Sequence, residues 1–133
     1  MDRVDVDVEV EGDIEIEAAL DKVNEGLSQN EIMTALMQTG FMFEEQAKWY
    51  ASGNMGGPQV RTGNLRASIQ TEPNGHGGVQ VAPHTEYAYF VEMGTSRSAP
   101  YPYMRPAYET TLEDASKFLS DRIGDDIEIR FNQ

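Results

Sequence analysis

The sequence predicts an α+β fold in which a small, mostly antiparallel sheet packs on one long helix, with a second helix near the C-terminus. Three observations lead to this prediction. Apolar residues alternate with acids over residues 3–17, which is the period-2 pattern of a half-buried strand. Residues 28–52 carry apolar side chains at roughly helical spacing and contain no proline. Residues 105–123 form a second apolar stripe, with Pro106 in the first turn, where its missing N–H costs nothing.

The N-terminal pattern begins with four valines at every second position, each followed by an acid. The same parity resumes at Ile14 and Ile16, after Gly12. Two arrangements keep these apolar residues on one face: one long strand with a bend or bulge at Gly12, or two strands joined by a tight turn at 11–13. The sequence leaves both open. The acids between the valines form a row on the opposite face: Asp5, Asp7, Glu9 and Glu11.

The long helix has a recognisable start. Ser28 and Glu31 have the spacing of a capping box, in which each side chain satisfies the free backbone N–H of the other residue. A helix over 28–52 would be about 37 Å long at 1.5 Å per residue, and we expect it to be the centre of the core. The glycine-rich segment 53–57 ends it and predicts a loop.

The remaining elements complete a single domain over residues 1–133. Two short strands around a glycine-rich turn predict an antiparallel hairpin at 67–82. The aromatic segment 85–93 is compatible with a helical or an extended conformation. Apolar residues alternate again in the tail, 124–133, which predicts a final strand paired within the subunit or onto a neighbour.

Composition excludes several classes of protein. The chain has no cysteine, so it can form neither a disulfide nor a thiolate metal site. No apolar run is long enough for a membrane span or a signal peptide. With 23 acids against 10 bases the formal charge is −13, which repels free DNA. Acidity combined with only three lysines favours a surface adapted to molar salt, as in halophilic archaea, over a surface meant to repel DNA.

No residue pattern indicates catalysis. His76 and His84 lack the spacing of a helical metal site. Ser68 and Thr95 have no histidine at a recognisable motif spacing and no nucleophile elbow. The glycine-rich segments lack the lysine and hydroxyl residue of a phosphate-binding loop. We therefore expect no enzymatic activity, no metal and no cofactor.

Three segments carry the most specific signal in the chain. They read RTGNLRASI at 61–69, YAYFVEMGT at 87–95 and PYMRPA at 102–107. They resemble the TG-x-L-x-x-SI, Y-A-x-x-V/I-E-x-G-T and P-F-L-R-P-A segments of tail completion proteins, also called head–tail joining or neck proteins, of long-tailed phages. This group includes minor tail protein Z of phage lambda. The third segment has Tyr103-Met104 where Phe-Leu is common, an apolar exchange of similar bulk.

The resemblance implies a structural virion protein, assembled in the host cytoplasm, that forms a ring of six copies at the head–tail junction. Its partners would be other copies of itself, the head-side connector or stopper protein, and the tail tube or tail terminator protein. Viral DNA would pass through the ring without specific binding. By position, the resemblance assigns these residues to the assembly interface: Thr62, Gly63, Leu65, Ile69, Tyr87, Glu92, Gly94, Thr95, Pro102, Arg105 and Pro106.

Charge and aromatic content add three expectations. The acidic row Asp5, Asp7, Glu9 and Glu11 would face the lumen of the ring and keep passing DNA from adhering. Aromatics interleaved with arginines over 87–108 are typical of protein contact centres. The tail at 126–131 or the N-terminal row could add as a strand to the exposed sheet edge of a neighbour. An alternative from another class is an acidic DNA mimic that inhibits a nucleic-acid enzyme through its carboxylate rows.

Overall fold

The computed structural model of the chain describes residues 12–18, 26–57 and 63–132. Along the chain these form β1 (Ile14–Ala18), α1 (Gln29–Tyr50), α2 (Asn64–Ser68), β2 (Gln70–Pro73), β3 (Val79–Ala82), α3 (Ala88–Met93), α4 (Met104–Ile123) and β4 (Ile127–Phe131), with a 3-10 turn at Asn54–Gly56. Five residues of the predicted site lie outside the described residues: Asp5, Asp7, Glu9, Glu11 and Thr62.

The four strands form one antiparallel sheet in the order β2-β3-β1-β4. Val81 of β3 lies opposite both Ile14 of β1 and Thr71 of β2, and Ile14 lies opposite Phe131 of β4, so these four side chains share one face. Helix α1 packs against β1, β2 and β3 on one side and against α4, while α4 also contacts β4. The predicted α+β class, a small antiparallel sheet on one long helix with a second C-terminal helix, is confirmed.

Helix α1 begins with the predicted capping box. The Ser28 hydroxyl accepts a hydrogen bond from the Glu31 backbone N–H at 3.1 Å, and the Glu31 carboxylate accepts one from the Ser28 N–H at 3.0 Å. These bonds lower the pKa of Glu31 because they favour its charged form. The helix then occupies Gln29–Tyr50, within the range 28–52 indicated by the sequence. Its buried stripe includes Ile32, Leu36, Phe43, Ala47 and Tyr50.

Helix α1 lies close to β2 at Gly40. A Cβ atom at this position would collide with the methyl group of Thr71. The Thr71 hydroxyl donates to the Glu44 carboxylate at 2.8 Å, one turn further along the helix. Gly40 therefore lets the helix lie directly on the sheet, and the Thr71–Glu44 bond holds the two together.

The predicted hairpin at 67–82 is wrong at its start. Residues Asn64–Ser68 form the short helix α2, and the strand begins only at Gln70. Gly63, at φ 79°, directs the chain into this helix, and the Ser68 hydroxyl donates to the Leu65 carbonyl at 2.7 Å. Leu65 and Ile69 are four residues apart, so their apolar spacing fits a helical turn as well as a strand.

The sheet face opposite the helices carries a charged network centred on Arg130. Its guanidinium lies 3.1 Å from Glu15 and 2.8 Å from Glu17, and hydrogen bonding to Glu17 is the main cause that raises the pKa of Arg130. The Asn132 amide donates to Glu15 at 2.7 Å and to Asp13 at 2.8 Å. Glu15 is only 8% exposed. The carboxylates of Asp13 and Glu15 are therefore engaged inside the subunit.

Candidate assembly interface

The residue at the centre of the second motif, Glu92, is 5% exposed on α3 and points at the start of α4. Its Oε1 atom accepts hydrogen bonds from the backbone N–H groups of Tyr103 at 3.0 Å and Met104 at 2.8 Å. Its Oε2 atom accepts a third from the Arg105 N–H at 3.1 Å. One carboxylate therefore satisfies three consecutive backbone donors of the third motif.

The start of α4 needs such an acceptor because the first N–H groups of a helix have no partner within it. The N-cap residue, Tyr103, supplies no side-chain hydrogen bond. A carboxylate also interacts favourably with the positive end of the helix dipole. Glu92 thus performs, from another helix, the function that serine or aspartate usually performs locally. The contact joins the second and third motifs into one unit.

The side chain of Tyr103 makes a second connection between α3 and the start of α4. Its side chain is fully buried, and its hydroxyl donates to the Ala88 carbonyl at 3.2 Å, at the first residue of α3. Burial, and then the nearby Glu92 and Tyr87, raise the pKa of Tyr103 far above the ordinary value for tyrosine. The phenol therefore stays neutral and keeps its donor proton. Helix α3 is thus attached to α4 at both of its ends.

The loop between the two motifs folds back on α3. Gly94 has φ 79°, and a Cβ atom there would lie 2.8 Å from the Pro100 nitrogen, so the turn requires glycine. The Thr95 hydroxyl accepts from the backbone N–H groups of Arg97 and Ser98 at 3.1 and 3.0 Å. The Tyr101 N–H then donates to the carbonyl of Val91 on α3 at 2.8 Å. These bonds place the Tyr101 side chain beside the helix.

The outer surface of this unit is apolar and aromatic. Tyr89 and Phe90 are 42% and 55% exposed, and their rings meet edge to face at 5.6 Å. We call the α3 aromatic patch the five exposed side chains Tyr87, Tyr89, Phe90, Met93 and Tyr101. Exposed apolar clusters of this kind mark contact sites on soluble proteins, and tyrosine is enriched at contact centres.

The first motif lies at the end of α1. Gly63 begins α2, and Leu65 and Ile69 pack against the core. Arg66 Nη1 donates to the Ser52 hydroxyl at 3.1 Å, just after the last turn of α1. The described part of this motif therefore fixes α2 to the long helix, whereas the second and third motifs build the aromatic unit.

The third motif also connects α4 to the sheet. The Arg105 guanidinium lies over the Phe131 ring at 4.9 Å and 3.9 Å from the Glu109 carboxylate. Pro106 and Pro102 are half-buried at the start of α4. Most of the matched motif positions thus support the fold, and Tyr87 is the matched position whose side chain belongs to the exposed patch.

The sequence did not reveal the capping role of Glu92 or the exposure of Met93, although it did place Phe90 in the aromatic segment interpreted as a contact surface. One feature of the sequence could have predicted the capping role of Glu92. Residues 99–102, directly before the helix that starts at Tyr103-Met104, contain no serine, threonine, aspartate or asparagine, so the free N–H groups of this helix need an acceptor from elsewhere. Glu92 is the nearest acid upstream in the chain.

Two kinds of feature are absent from the described residues, namely a cluster of metal ligands and a membrane-spanning helix. Among residues 12–18, 26–57 and 63–132 no group of three or more histidine, aspartate or glutamate side chains is arranged to hold a metal ion. In the same ranges no helix has the length and apolar character needed to cross a membrane.

Comparison with known proteins identifies a family. Residues 14–94, more than half of the chain, match the family described as "Bacteriophage HK97-gp10, putative tail-component". The match runs from β1 through Glu92 and ends at Gly94. No curated protein and no solved structure matches the chain. Membership implies a structural role in a virion, in contact with other virion proteins. The chain belongs to the HK97-gp10-like family of phage tail components.

Proposed function

We propose that this tail component is the tail completion protein of a long-tailed virus. Copies form a ring at the head–tail junction, which joins the head-side connector or stopper to the tail tube or tail terminator and lets DNA pass. The observation that carries the proposal is the aromatic unit: Glu92 caps α4, and the resulting rigid corner presents the α3 aromatic patch to solvent. The protein acts by contact, without a catalytic step.

The rigidity of the patch favours its use as a contact surface. Ordering side chains and loops on association costs about 0.5–1.5 kcal/mol per flexible side chain. Helix α3 is already held by the buried Glu92 and Tyr103, so its backbone needs no further ordering. Tyrosine and phenylalanine add large contact areas with few rotatable bonds. In the ring, the patch on one subunit would contact a different surface on the next subunit. Contacts between two different surfaces are the type that can close into a ring.

The negative net charge of the chain is compatible with a ring that surrounds DNA. Six copies at −13 carry −78 formal charges, and acids on an inner wall keep DNA from adhering during its passage. We assign this role to Asp5, Asp7, Glu9 and Glu11. Changing all four acids to lysine should impair DNA delivery while particles still assemble. Unchanged infectivity of such particles would remove the role.

The DNA-mimic alternative receives no support from the family match. A mimic needs carboxylates that project towards the partner enzyme. In the described strand β1, Glu15 is buried and binds Arg130 and Asn132 within the subunit. Glu17 likewise pairs with Arg130 at 2.8 Å. These carboxylates are therefore committed to internal contacts.

The mass of the assembled species tests the proposal. Native mass spectrometry or light scattering should be carried out on the purified protein over a range of concentrations, alone and with purified tails. We expect a species of six 14.8 kDa subunits, about 89 kDa, or the same number of copies bound per tail. A chain that stays monomeric under all conditions and does not bind tails would contradict the proposal.

A further inference from the structure

Strand β1 has no free edge for the alternating sequence that precedes it. Ile14 and Ile16 pair with β3 on one side and with β4 on the other. Pairing with β4 extends to a bulge: the Gly12 N–H donates to the Asn132 carbonyl, and the Asn132 N–H donates to the Asp13 carbonyl. Gly12 and Asp13 on one strand thus oppose the single residue Asn132 on the other, and Gly12 has φ 85°. The tight two-strand turn at 11–13 is therefore wrong, because both positions beside β1 are occupied.

The sheet has two outer edges, β2 and β4. Strand β2 has four residues, and Pro73 removes a backbone donor, so it offers a poor template. Strand β4 has five residues. Asn132 bonds towards β1, and the antiparallel pattern alternates, so Ile127, Ile129 and Phe131 direct their backbone groups away from β1. On that edge the Tyr108 hydroxyl donates to the Ile129 carbonyl at 3.3 Å, and the Ile127 N–H donates to the Asp125 carbonyl at 2.9 Å. An added strand would therefore pair with the Ile129 N–H and with the backbone of Phe131.

A groove of about 450 Å³ runs beside this edge, between β4 and α4. Leu112, Ser116 and Ser120 of α4 line one side of it, and Ile127 and Ile129 of β4 line the other. The apolar residues Leu112, Ile127 and Ile129 are only partly buried, and Lys117 and Asp125 complete the lining. An added strand whose side chains alternate would place one row in this groove and the other row on the polar face of the sheet.

We propose that residues 4–10 of one copy add as a strand to β4 of an adjacent copy, with the valines in the groove. The seven residues would extend about 23 Å, enough to cover β4. The inference rests on the proposed function, because it supplies a contact between the copies of that ring. The sequence 4–10 alternates valine and acid throughout, which matches a surface that is apolar on one side and solvated on the other.

The chain between Val10 and Gly12 is too short for the complete valine row to pair with β4 of its own copy, so we assign the row to a second copy. The position outside β4 is two strand spacings, about 9.6 Å, from β1. Val10 and Gly12 are two residues apart, so their Cα atoms can be separated by at most about 7 Å. With Gly12 held at the bulge, the intact valine row cannot reach the outer edge of its own β4.

Disulfide capture tests this contact, because the natural chain has no cysteine. One preparation carries Val8→Cys and a second, with a mass tag, carries Ser116→Cys. After mixing and mild oxidation we expect a disulfide-linked heterodimer. Its yield should exceed that of a control mixture of Val8→Cys with Ser98→Cys, on an exposed loop, by roughly tenfold or more, because binding raises the effective concentration of the two thiols. Equal yields in the two mixtures would overturn the inference.

Two further measurements distinguish the outcomes. A single chain with both Val8→Cys and Ser116→Cys, oxidised at high dilution, should remain reduced, and an efficient bridge within the chain would show that the groove binds its own segment and overturn the inference. A variant that keeps cysteine at position 8 but has serine at positions 4, 6 and 10 should lose the heterodimer with Ser116→Cys, and it should keep its melting temperature as a monomer. Rings that form normally with this variant would refute the strand contact while leaving the proposed function intact.

Discussion

The Glu92 carboxylate lies 2.8 Å from the backbone nitrogen of Met104, and this contact joins α3 to the start of α4. It joins two motifs that are separated by a proline-containing loop, and it is made by a charged group with 5% exposure. The α3 aromatic patch is therefore held in place by a buried hydrogen-bond unit. The fold and the proposed contact surface depend on the same residue.

Glu92→Gln should destabilise the protein. The amide keeps one acceptor oxygen but turns an NH₂ group towards a backbone donor, so at least one charge-assisted hydrogen bond is lost. Each is worth about 1.5–3 kcal/mol, and we expect the free energy of unfolding in urea to fall by that amount or more. Glu109→Gln is the matched control, because Glu109 is 60% exposed and makes a surface ion pair at 3.9 Å. It should change stability by less than about 0.5 kcal/mol. Equal effects of the two variants would refute the capping role.

Gly40→Ala should also destabilise the protein, although alanine at a helical glycine normally stabilises a helix by about 1 kcal/mol. The added methyl group would collide with the Thr71 methyl group, and overpacking of this kind costs about 1–3 kcal/mol. Thr71→Ser removes the colliding methyl and keeps the hydroxyl that donates to Glu44. The double variant should therefore recover much of the loss. Additive effects in the double-mutant cycle would show that the two residues do not touch.

Tyr103 should make the protein unstable in alkali. Its pKa is raised in the folded state, so above about pH 10 the unfolded chain releases the phenol proton while the folded chain keeps it. Below that pH the titration of Tyr103 should not change the free energy of unfolding. Above it, the free energy of unfolding should fall as pH rises. Tyr103→Phe loses the bond to Ala88, about 1 kcal/mol at pH 7, but should show a shallower alkaline decline. Parallel pH profiles of the two proteins would contradict this account.

Phe90→Ser should weaken assembly without unfolding the subunit. The side chain is 55% exposed, and surface changes usually alter stability by less than about 0.5 kcal/mol. Truncating a contact hot spot costs about 2 kcal/mol or more, so subunit association measured by analytical ultracentrifugation should weaken by roughly thirtyfold. Phe41→Ser is the control, since Phe41 is 49% exposed on α1. Equal loss of association with both variants would show that the patch has no special role.

The melting temperature should rise from low to molar sodium chloride. The Debye length falls from about 10 Å at 0.1 M to about 3 Å at 1 M, which screens the repulsion among charges that sum to −13. A variant with Glu109→Lys and Glu113→Lys, whose net charge changes by four to −9, should show a smaller rise. A melting temperature that is flat or falls with salt would exclude the halophilic interpretation.

Periodic elements were accessible from sequence because their signals are local. The Ser28–Glu31 capping box and the alternation before Phe131 depend on residues within one turn or one strand. The start of the predicted hairpin failed because Leu65 and Ile69 fit either period, and the left-handed Gly63 decided in favour of a helix. Contacts over long separations were not predictable in the same way.

The candidate site illustrates the same limit. The motif positions were named from sequence as an assembly interface, which stays a prediction, and the structure places Ile69 and Glu92 among them in the interior of the subunit. The role of Glu92 depends on a helix end eleven to thirteen residues away, and the sequence gives no direction for its side chain. The pairing of β4 with β1 joins residues more than a hundred positions apart, so the tail strand could be expected but its partner could not.

Imaging of the mature virus particle tests the central claim most directly. A tagged copy of this chain should be located by cryo-electron microscopy of intact virions and of isolated tails. We predict ring-shaped density at the head–tail junction, present once per particle, with the α3 aromatic patch at a contact between subunits or layers. Density distributed along the tail tube, or absence of the protein from purified virions, would contradict the account.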